Sequence, residues 1–356
     1  MPELGPLALI LLVVLVALFF DYCNGWNDSA NAIATVVSTR VLKPWQAVLM
    51  NAVLNFVGAL VSTAVAKTIA GKFVDEQMMT VAGVGAAMIS ASAWVTLCTW
   101  RGLPISGSHS LMGGIIGAAL GTAFSQGKGT EILKWEGISP AIAAMFISPL
   151  LGFGIAYLLL TATIWISYKS KLKADLGRKV FSTLQLLSAS MMAFQHGKND
   201  AQKVMGVITL ALITLPATTL ALLPQWAAPV MGPGGPEIPL WVVLACALAM
   251  AAGTAAGGWK VIRTLGTKLA HIRPVEGFAA ESGAALVLEV AAEMGVPVST
   301  THTITGSILG VGCVRNPKSV KWGLGGKIFM AWVWTFPATI IFGGLLGYLF
   351  NVLIKT

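Results

Sequence analysis

The chain has 356 residues, 56% of them hydrophobic and only 10% charged, with a formal net charge of +9. Soluble domains average roughly 45–50% apolar and about 25% charged residues, so this composition excludes a soluble globular protein and indicates an integral membrane protein. The basic surplus lies mostly in short loops, as membrane orientation requires, and not in a patch suited to nucleic acid.

Continuous apolar runs, without the period-two alternation of a membrane β-barrel, predict helices. In chain order these are residues 6–40, 46–70, 78–100, 104–124 and 138–166, then 180–215, 238–258, 276–294, 297–313 and 327–353. The first twenty residues carry Glu3 and no Lys or Arg, so they lack the basic start and cleavage pattern of a signal peptide. Cys23, Cys98, Cys246 and Cys313 are scattered and form no CxxC; small buried hydrophobes are the expected role.

Two motifs are each written twice. Gly25-Trp26-Asn27-Asp28-Ser29-Ala30-Asn31-Ala32 returns as Gly197-Lys198-Asn199-Asp200-Ala201-Gln202-Lys203-Val204, offset by 172 residues (27 to 199). Pro104-Ile105-Ser106-Gly107-Ser108-His109 returns as Pro297-Val298-Ser299-Thr300-Thr301-His302, offset by 193 (109 to 302). A Pro/Gly-rich loop between Pro216 and Pro239 accounts for the difference. Five units per half force opposite orientations. Arg40 and Lys43, the 169–179 cluster, Lys260 to Arg273, and Arg315 to Lys321 then share one side, which is expected to be cytoplasmic.

The expected fold is therefore an all-α polytopic membrane protein of two inverted-topology repeats, 1–168 and 180–356, joined by a basic cytoplasmic linker, 169–179, with both termini extracytoplasmic. About 10–12 membrane segments are expected, including discontinuous helices. Units 6–40 and 180–215 are too long for one straight crossing, so each is expected to unwind at its Asn-Asp motif. Residues 78–124 and 276–313 form either pairs of full crossings or re-entrant hairpins with the Pro-Ser/Thr-His motif at the tip.

The motifs suggest paired chemistry. Ser106-Gly107-Ser108 and Ser299-Thr300-Thr301 follow a Pro and precede apolar helix, so each is expected to be a helix N-terminus with a hydroxyl cap, a donor-rich place for an oxyanion. Asp28 and Asp200 are carboxylates within membrane units, functional by default. With the side-chain oxygens of Asn27, Asn31, Asn199 and Gln202 they offer ligands to a hard cation. His109, His196 and His302 fall in or beside the motifs and can donate to an anion, orient a carboxylate or carry protons. Glu281, Glu289 and Glu293 lie close to one helix face; Glu281 is nearest the cytoplasmic end, where water can reach it, and Glu289 is deeper. Lys203 follows Asp200 by three residues, which suits a helical ion pair or a substrate contact.

At these residues the chain resembles the inorganic phosphate transporter (PiT) family of cation–phosphate symporters, on its prokaryotic branch. The Gly-x-Asn-Asp motifs and the intact Pro297-Val298-Ser299-Thr300-Thr301-His302 carry the resemblance, which spans essentially the whole length. Trp26, Lys203, and Ile105 and Gly107 in the first Pro-Ser/Thr-His motif depart from the family pattern. The resemblance implies a non-enzymatic importer of inorganic phosphate working by alternating access in the cell membrane, commonly as a homodimer, with no cofactor and with Na+ or H+ as coupling ion. On this reading Asn27, Ser106, Gly107, Ser108, Asn199, Ser299, Thr300 and Thr301 bind phosphate, and Asp28, Asn31, Asp200 and Gln202 bind Na+. His109, His196, His302 and Glu289 carry protons or orient ligands. Paired Asp/Asn sites favour Na+ over H+. An H+-coupled phosphate or sulfate permease and a passive anion channel are the alternatives.

Overall fold

The computed structural model describes residues 4–171, 173–232 and 235–354. Pro233 and Gly234 of the Pro/Gly loop, and both chain ends, lie outside the described residues. In chain order the helices are α1 (Leu4–Ser38), α2 (Pro44–Ala59), α3 (Ala64–Lys72), α4 (Val81–Arg101), α5 (Gly107–Ser125), α6 (Trp135–Lys169) and α7 (Ala174–Ile213). They continue with α8 (Ala217–Leu220), α9 (Leu240–Ala256), α10 (Trp259–Arg263, extended by one π turn to Lys268), α11 (Pro274–Glu293), α12 (Thr300–Arg315) and α13 (Trp322–Leu353). A two-residue β-ribbon, Met231–Gly232 with Gly235–Pro236, closes the loop between α8 and α9. α7 begins at Ala174, inside the basic 169–179 segment.

Helices α1, α4, α6 and α13 are each long and apolar enough to cross a bilayer among the described residues. Two bent pairs reach the same length and apolar character only when each is taken as a unit: α2 with α3, at 63°, and α9 with the helix from Trp259 to Lys268, at 60°. The polar motifs keep α5 and α7 from qualifying by composition, the glutamates keep α11 from it, and α12, at 16 residues, is too short.

Corresponding elements of the two halves pack in exchanged pairs. α1 lies along α9 as α7 lies along α2, and α13 covers α5 as α6 covers α12. Glycines allow these approaches: Gly117 and Gly121 sit against the α13 backbone at Ile340 and Gly344, and Gly306 and Gly310 sit against α6 at Pro149 and Phe153. Small residues are how membrane helices gain contact when hydrocarbon supplies no hydrophobic drive.

α4–α5 and α11–α12 are hairpins that enter from opposite ends of the molecule. The base of the first lies by the start of α1 and the end of α7, where Pro6, Met79, Val81 and Leu215 surround one cleft. The base of the second lies by the end of α1 and the start of α7, where Thr39 bonds Gln185 and Gly277 packs against Gln185. Their tips meet: the Ser108 hydroxyl donates to the Val298 carbonyl at 3.0 Å. Two hairpins inserted from opposite ends whose tips touch do not each run the full length of the body, which is the geometry the re-entrant alternative requires. The basic segments gather at the second hairpin's end, where Lys321 N–H donates to the Leu269 carbonyl and Arg273 and Arg315 both reach Glu276.

The expected unwinding at the Asn-Asp motifs is corrected by the structure. α1 and α7 run unbroken through Asn27-Asp28 and Asn199-Asp200. The breaks fall instead in the neighbouring spans, and the motifs cap them: Ser29 Oγ accepts from Gly258 N at 2.7 Å at the start of α10, and Gln202 Oε1 accepts from Val65 N at 2.8 Å in α3. A broken helix exposes backbone donors that hydrocarbon cannot satisfy. Each motif therefore keeps its own backbone bonded and serves the broken helix packed beside it.

Candidate functional site

Asp28, His196 and Asp200 face one another where α1 and α7 cross beneath the hairpin tips, all fully buried. His196 Nδ1 donates to Asn55 Oδ1, whose amide in turn donates to Asn51 Oδ1 at 2.6 Å. That leaves Nε2 facing Asp28 Oδ2 at 3.7 Å and Asp200 Oδ2 at 3.5 Å. One atom from each of the three residues lies within 4.8 Å of the others, a spacing able to hold a cation. Fixing a histidine's orientation through its second nitrogen is also what a defined ligand geometry needs.

The second hairpin's tip lies against Asp28. Ser299 caps α12 by accepting from His302 N at 3.2 Å. Thr301 Oγ1 donates to Asp28 Oδ1 at 2.8 Å, and Thr300 Oγ1 lies 3.4 Å from Asp28 and 3.3 Å from Asp200. Asn31 donates its amide to both threonines, at 3.3 and 3.1 Å. The first hairpin's tip lies against Asp200. Ser106 caps α5 in the same way, accepting from His109 N at 3.1 Å. Lys203 Nζ, 2.7 Å from Asp200, also reaches Ser108 Oγ at 2.5 Å.

First-turn N–H groups of a helix have no acceptor within it and carry the positive end of the dipole. Two such ends, those of α5 and α12, meet beside two carboxylates. Gly107 is needed there, because a Cβ would strike the Asn24 side chain of α1. The arrangement offers oxyanion donors next to cation ligands.

Several candidate residues take other roles. Asn27 spends its amide on Thr99 Oγ1 at 2.8 Å and the Leu103 carbonyl at 3.3 Å; Asn199 spends its amide on the Gln195 and Leu288 carbonyls. Both tie a long helix to a hairpin and keep only a buried, unpartnered carbonyl oxygen, an acceptor that suits a cation and not a phosphate oxygen. Gln202 has partners at both ends, its Oε1 accepting from the start of α3 and its amide donating to the Lys198 carbonyl at 2.5 Å. Glu289 stands apart from the cluster, paired with Lys198 at 3.1 Å and Gln195 at 2.5 Å. His109 and His302 lie against each other, tilted by 33° with centroids 4.4 Å apart, and His302 stacks on Trp332 at 3.8 Å. These two rings line an apolar cavity of about 560 Å³ between α6 and α13, away from His196.

The structure also brings in residues the motifs did not mark. Asn24 donates to Asp200 Oδ2 at 3.2 Å, and Asp21 is fully buried against Cys246. Both precede Asp28 by one and two helical turns, so the 3.6-residue period contained the signal. Glu281 is fully buried, not solvated, and accepts from the hydroxyls of Thr35 and Ser188. Cys23, Cys98 and Cys246 are buried free thiols and Cys313 is half-buried.

Residues 24–343 match the phosphate transporter family. A protein of Bacillus subtilis (strain 168), described as "Probable low-affinity inorganic phosphate transporter", is 40% identical over 349 residues, 98% of this chain and 98% of the relative. One from Rhizobium meliloti (strain 1021), with the same description, is 41% identical over 349 residues, 96% of this chain and 97% of the relative. A solved structure, "The sodium-dependent phosphate transporter", shares the fold with a TM-score of 0.81 at 21% identity, over 98% of this chain and 100% of that one. The chain belongs to the phosphate transporter family and is a multi-pass membrane transporter, not an enzyme.

Proposed function

We propose that the protein imports inorganic phosphate across the cell membrane by cotransport with Na+. The observation that carries this reading is the meeting of two helix N-termini, α5 and α12, with the Asp28–His196–Asp200 cluster. Donors for an oxyanion and ligands for a cation are adjacent, so each ion lowers the cost of burying the other. Phosphate is held by Ser106, Gly107 and Ser108 on one tip and Ser299, Thr300 and Thr301 on the other. Na+ is held by Asp28 with the carbonyl oxygens of Asn31 and Asn27. The solved relative's description as sodium-dependent supports the choice of ion.

On this reading residues 1–168 and 180–356 are inverted repeats with the site near the midplane, and alternating access moves the hairpins against α1 and α7. Both termini and the α8–α9 loop are extracytoplasmic. A homodimer is proposed from the family resemblance alone.

His196 Nε2, facing both carboxylates, favours one second reading, coupling to H+ through that nitrogen. Proteoliposomes with independently imposed Na+ and pH gradients separate the two. Phosphate accumulation driven by a Na+ gradient at equal pH supports Na+ symport; accumulation driven only by a pH gradient supports the alternative, and downhill flux indifferent to both gradients indicates a channel.

A further inference from the structure

Asn31 and Lys203 are equivalent positions of the two Asn-Asp motifs, three residues after Asp28 and Asp200 respectively. By the same repeat, Thr301 is the equivalent of Ser108. Thr301 Oγ1, on the second half's tip, donates directly to Asp28 Oδ1 of the first half, at 2.8 Å. In the reciprocal pairing, between Asp200 of the second half and Ser108 of the first, the Lys203 ammonium stands between the equivalents, 2.7 Å from Asp200 Oδ1 and 2.5 Å from Ser108 Oγ. Its third contact is the Val298 carbonyl, at 2.8 Å.

An ammonium has three donors and no acceptor. All three are used, on a carboxylate, a hydroxyl and a backbone carbonyl drawn from α7 and the two hairpin tips. That is a ligand set of the kind a hard cation takes. It also leaves no N–H for phosphate, which argues against a direct substrate contact. Lys203 is itself fully buried, so the charge is not shared with water.

We propose that the Lys203 ammonium is a tethered substitute for a second coupling cation. It neutralises Asp200 and joins the two tips as a free cation would. Unlike a free cation it stays with the carrier through the cycle and draws nothing from the ion gradient. Asp28 is then the one carboxylate of the pair that a mobile cation must neutralise. The inference rests on the cation-coupled reading above, and it fixes how many cations that coupling uses.

The test is the Na+-to-phosphate flux ratio of the full chain in proteoliposomes, from labelled Na+ and labelled inorganic phosphate, together with the Na+ dependence of uptake. Lys203→Asn restores the residue of the first motif. Its flux ratio is expected to rise by about one, with a matching rise of the Hill coefficient for Na+, because Hill coefficients are limited by the number of sites. Lys203→Arg, which keeps the charge, is expected not to raise the ratio. Asn31→Lys places the same ammonium beside Asp28 and is expected to abolish Na+ activation in protein that elutes and melts as a folded species.

A folded Lys203→Asn protein with the wild-type ratio overturns the inference and leaves Na+ coupling standing. Wild-type uptake indifferent to Na+ overturns the coupling reading; Na+ dependence gained by Lys203→Asn would even then support the tethered cation, and its absence would overturn both. Should Lys203→Asn not fold, Asn31→Lys decides: retained Na+ activation there overturns the proposal.

Discussion

Ser108 and Val298, 190 residues apart in the chain, are joined by a 3.0 Å hydrogen bond from the serine hydroxyl to the valine carbonyl. This contact makes one site out of two motifs. Each hairpin alone presents a capped helix start; together they set two helix N-termini side by side over Asp28 and Asp200.

Asp28 accepts from Thr301 and Thr300 and has no lysine at the position equivalent to Lys203. Asp28→Asn removes its charge while keeping its shape. Loss of an interaction with a charged group costs about 1.5–3 kcal/mol, so half-saturating Na+ in uptake assays is expected to rise by about tenfold or more. An unchanged Na+ titration in folded Asp28→Asn protein contradicts the assignment.

Asp200→Asn acts differently, because it strands Lys203, whose ammonium is buried. Breaking a buried ion pair from one side costs about 3–5 kcal/mol. A clearly lowered melting temperature in detergent is expected, with most of the loss recovered in Asp200→Asn/Lys203→Met. Equal melting of the single variant and the wild type would show that the pair contributes nothing to stability.

Gly197 lies where α7 crosses α2, and a Cβ there would strike the Asn55 backbone carbonyl. Gly197→Ala forces the helices apart and displaces Asn55, the residue that orients His196. Overpacking of this kind costs about 1–3 kcal/mol. Thermal unfolding should show that loss, and phosphate uptake should fall further than stability alone explains.

Orientation is read by cysteine labelling in a background without the native thiols. Ser170→Cys, in the exposed turn between α6 and α7, is expected to label from the cytoplasmic side, and Trp226→Cys, exposed before the β-ribbon, from outside. Labelling of both from one side contradicts the proposed topology.

Selectivity follows from the acceptors beside the two tips. Phosphate carries protons at neutral pH and sulfate does not, so sulfate offers no O–H to an acceptor such as Asp28, at about 1–3 kcal/mol. Arsenate, which keeps the protons, is expected to compete well against labelled phosphate, and sulfate poorly. Equal competition by sulfate favours a sulfate permease.

The elements were legible in the sequence because hydrocarbon demands long apolar helices with satisfied backbones. α1, α4, α5, α6, α7, α9, α11, α12 and α13 fall within several residues of the runs that composition alone marks. The duplicated motifs likewise exposed Asp28, Asp200 and the two capping serines, since polar residues are too costly in such runs to be repeated without a role. Which atoms those residues spend on one another was not legible. Gln202 reads as a ligand and is a cap for α3; Asn27 and Asn199 read as phosphate donors and use their amides to hold hairpins; Glu281 reads as solvated and is sealed among hydroxyls. The unwinding expected within α1 and α7 occurs one helix away, and Lys203 completes a cation-like site with Val298, reached only when the hairpins meet. A sequence states which polar groups must be satisfied. Only the tertiary structure decides by whom, because the partners that redirect these residues, Val65 for Gln202, Thr99 for Asn27, Leu288 for Asn199 and Ser188 for Glu281, come from segments distant in the chain.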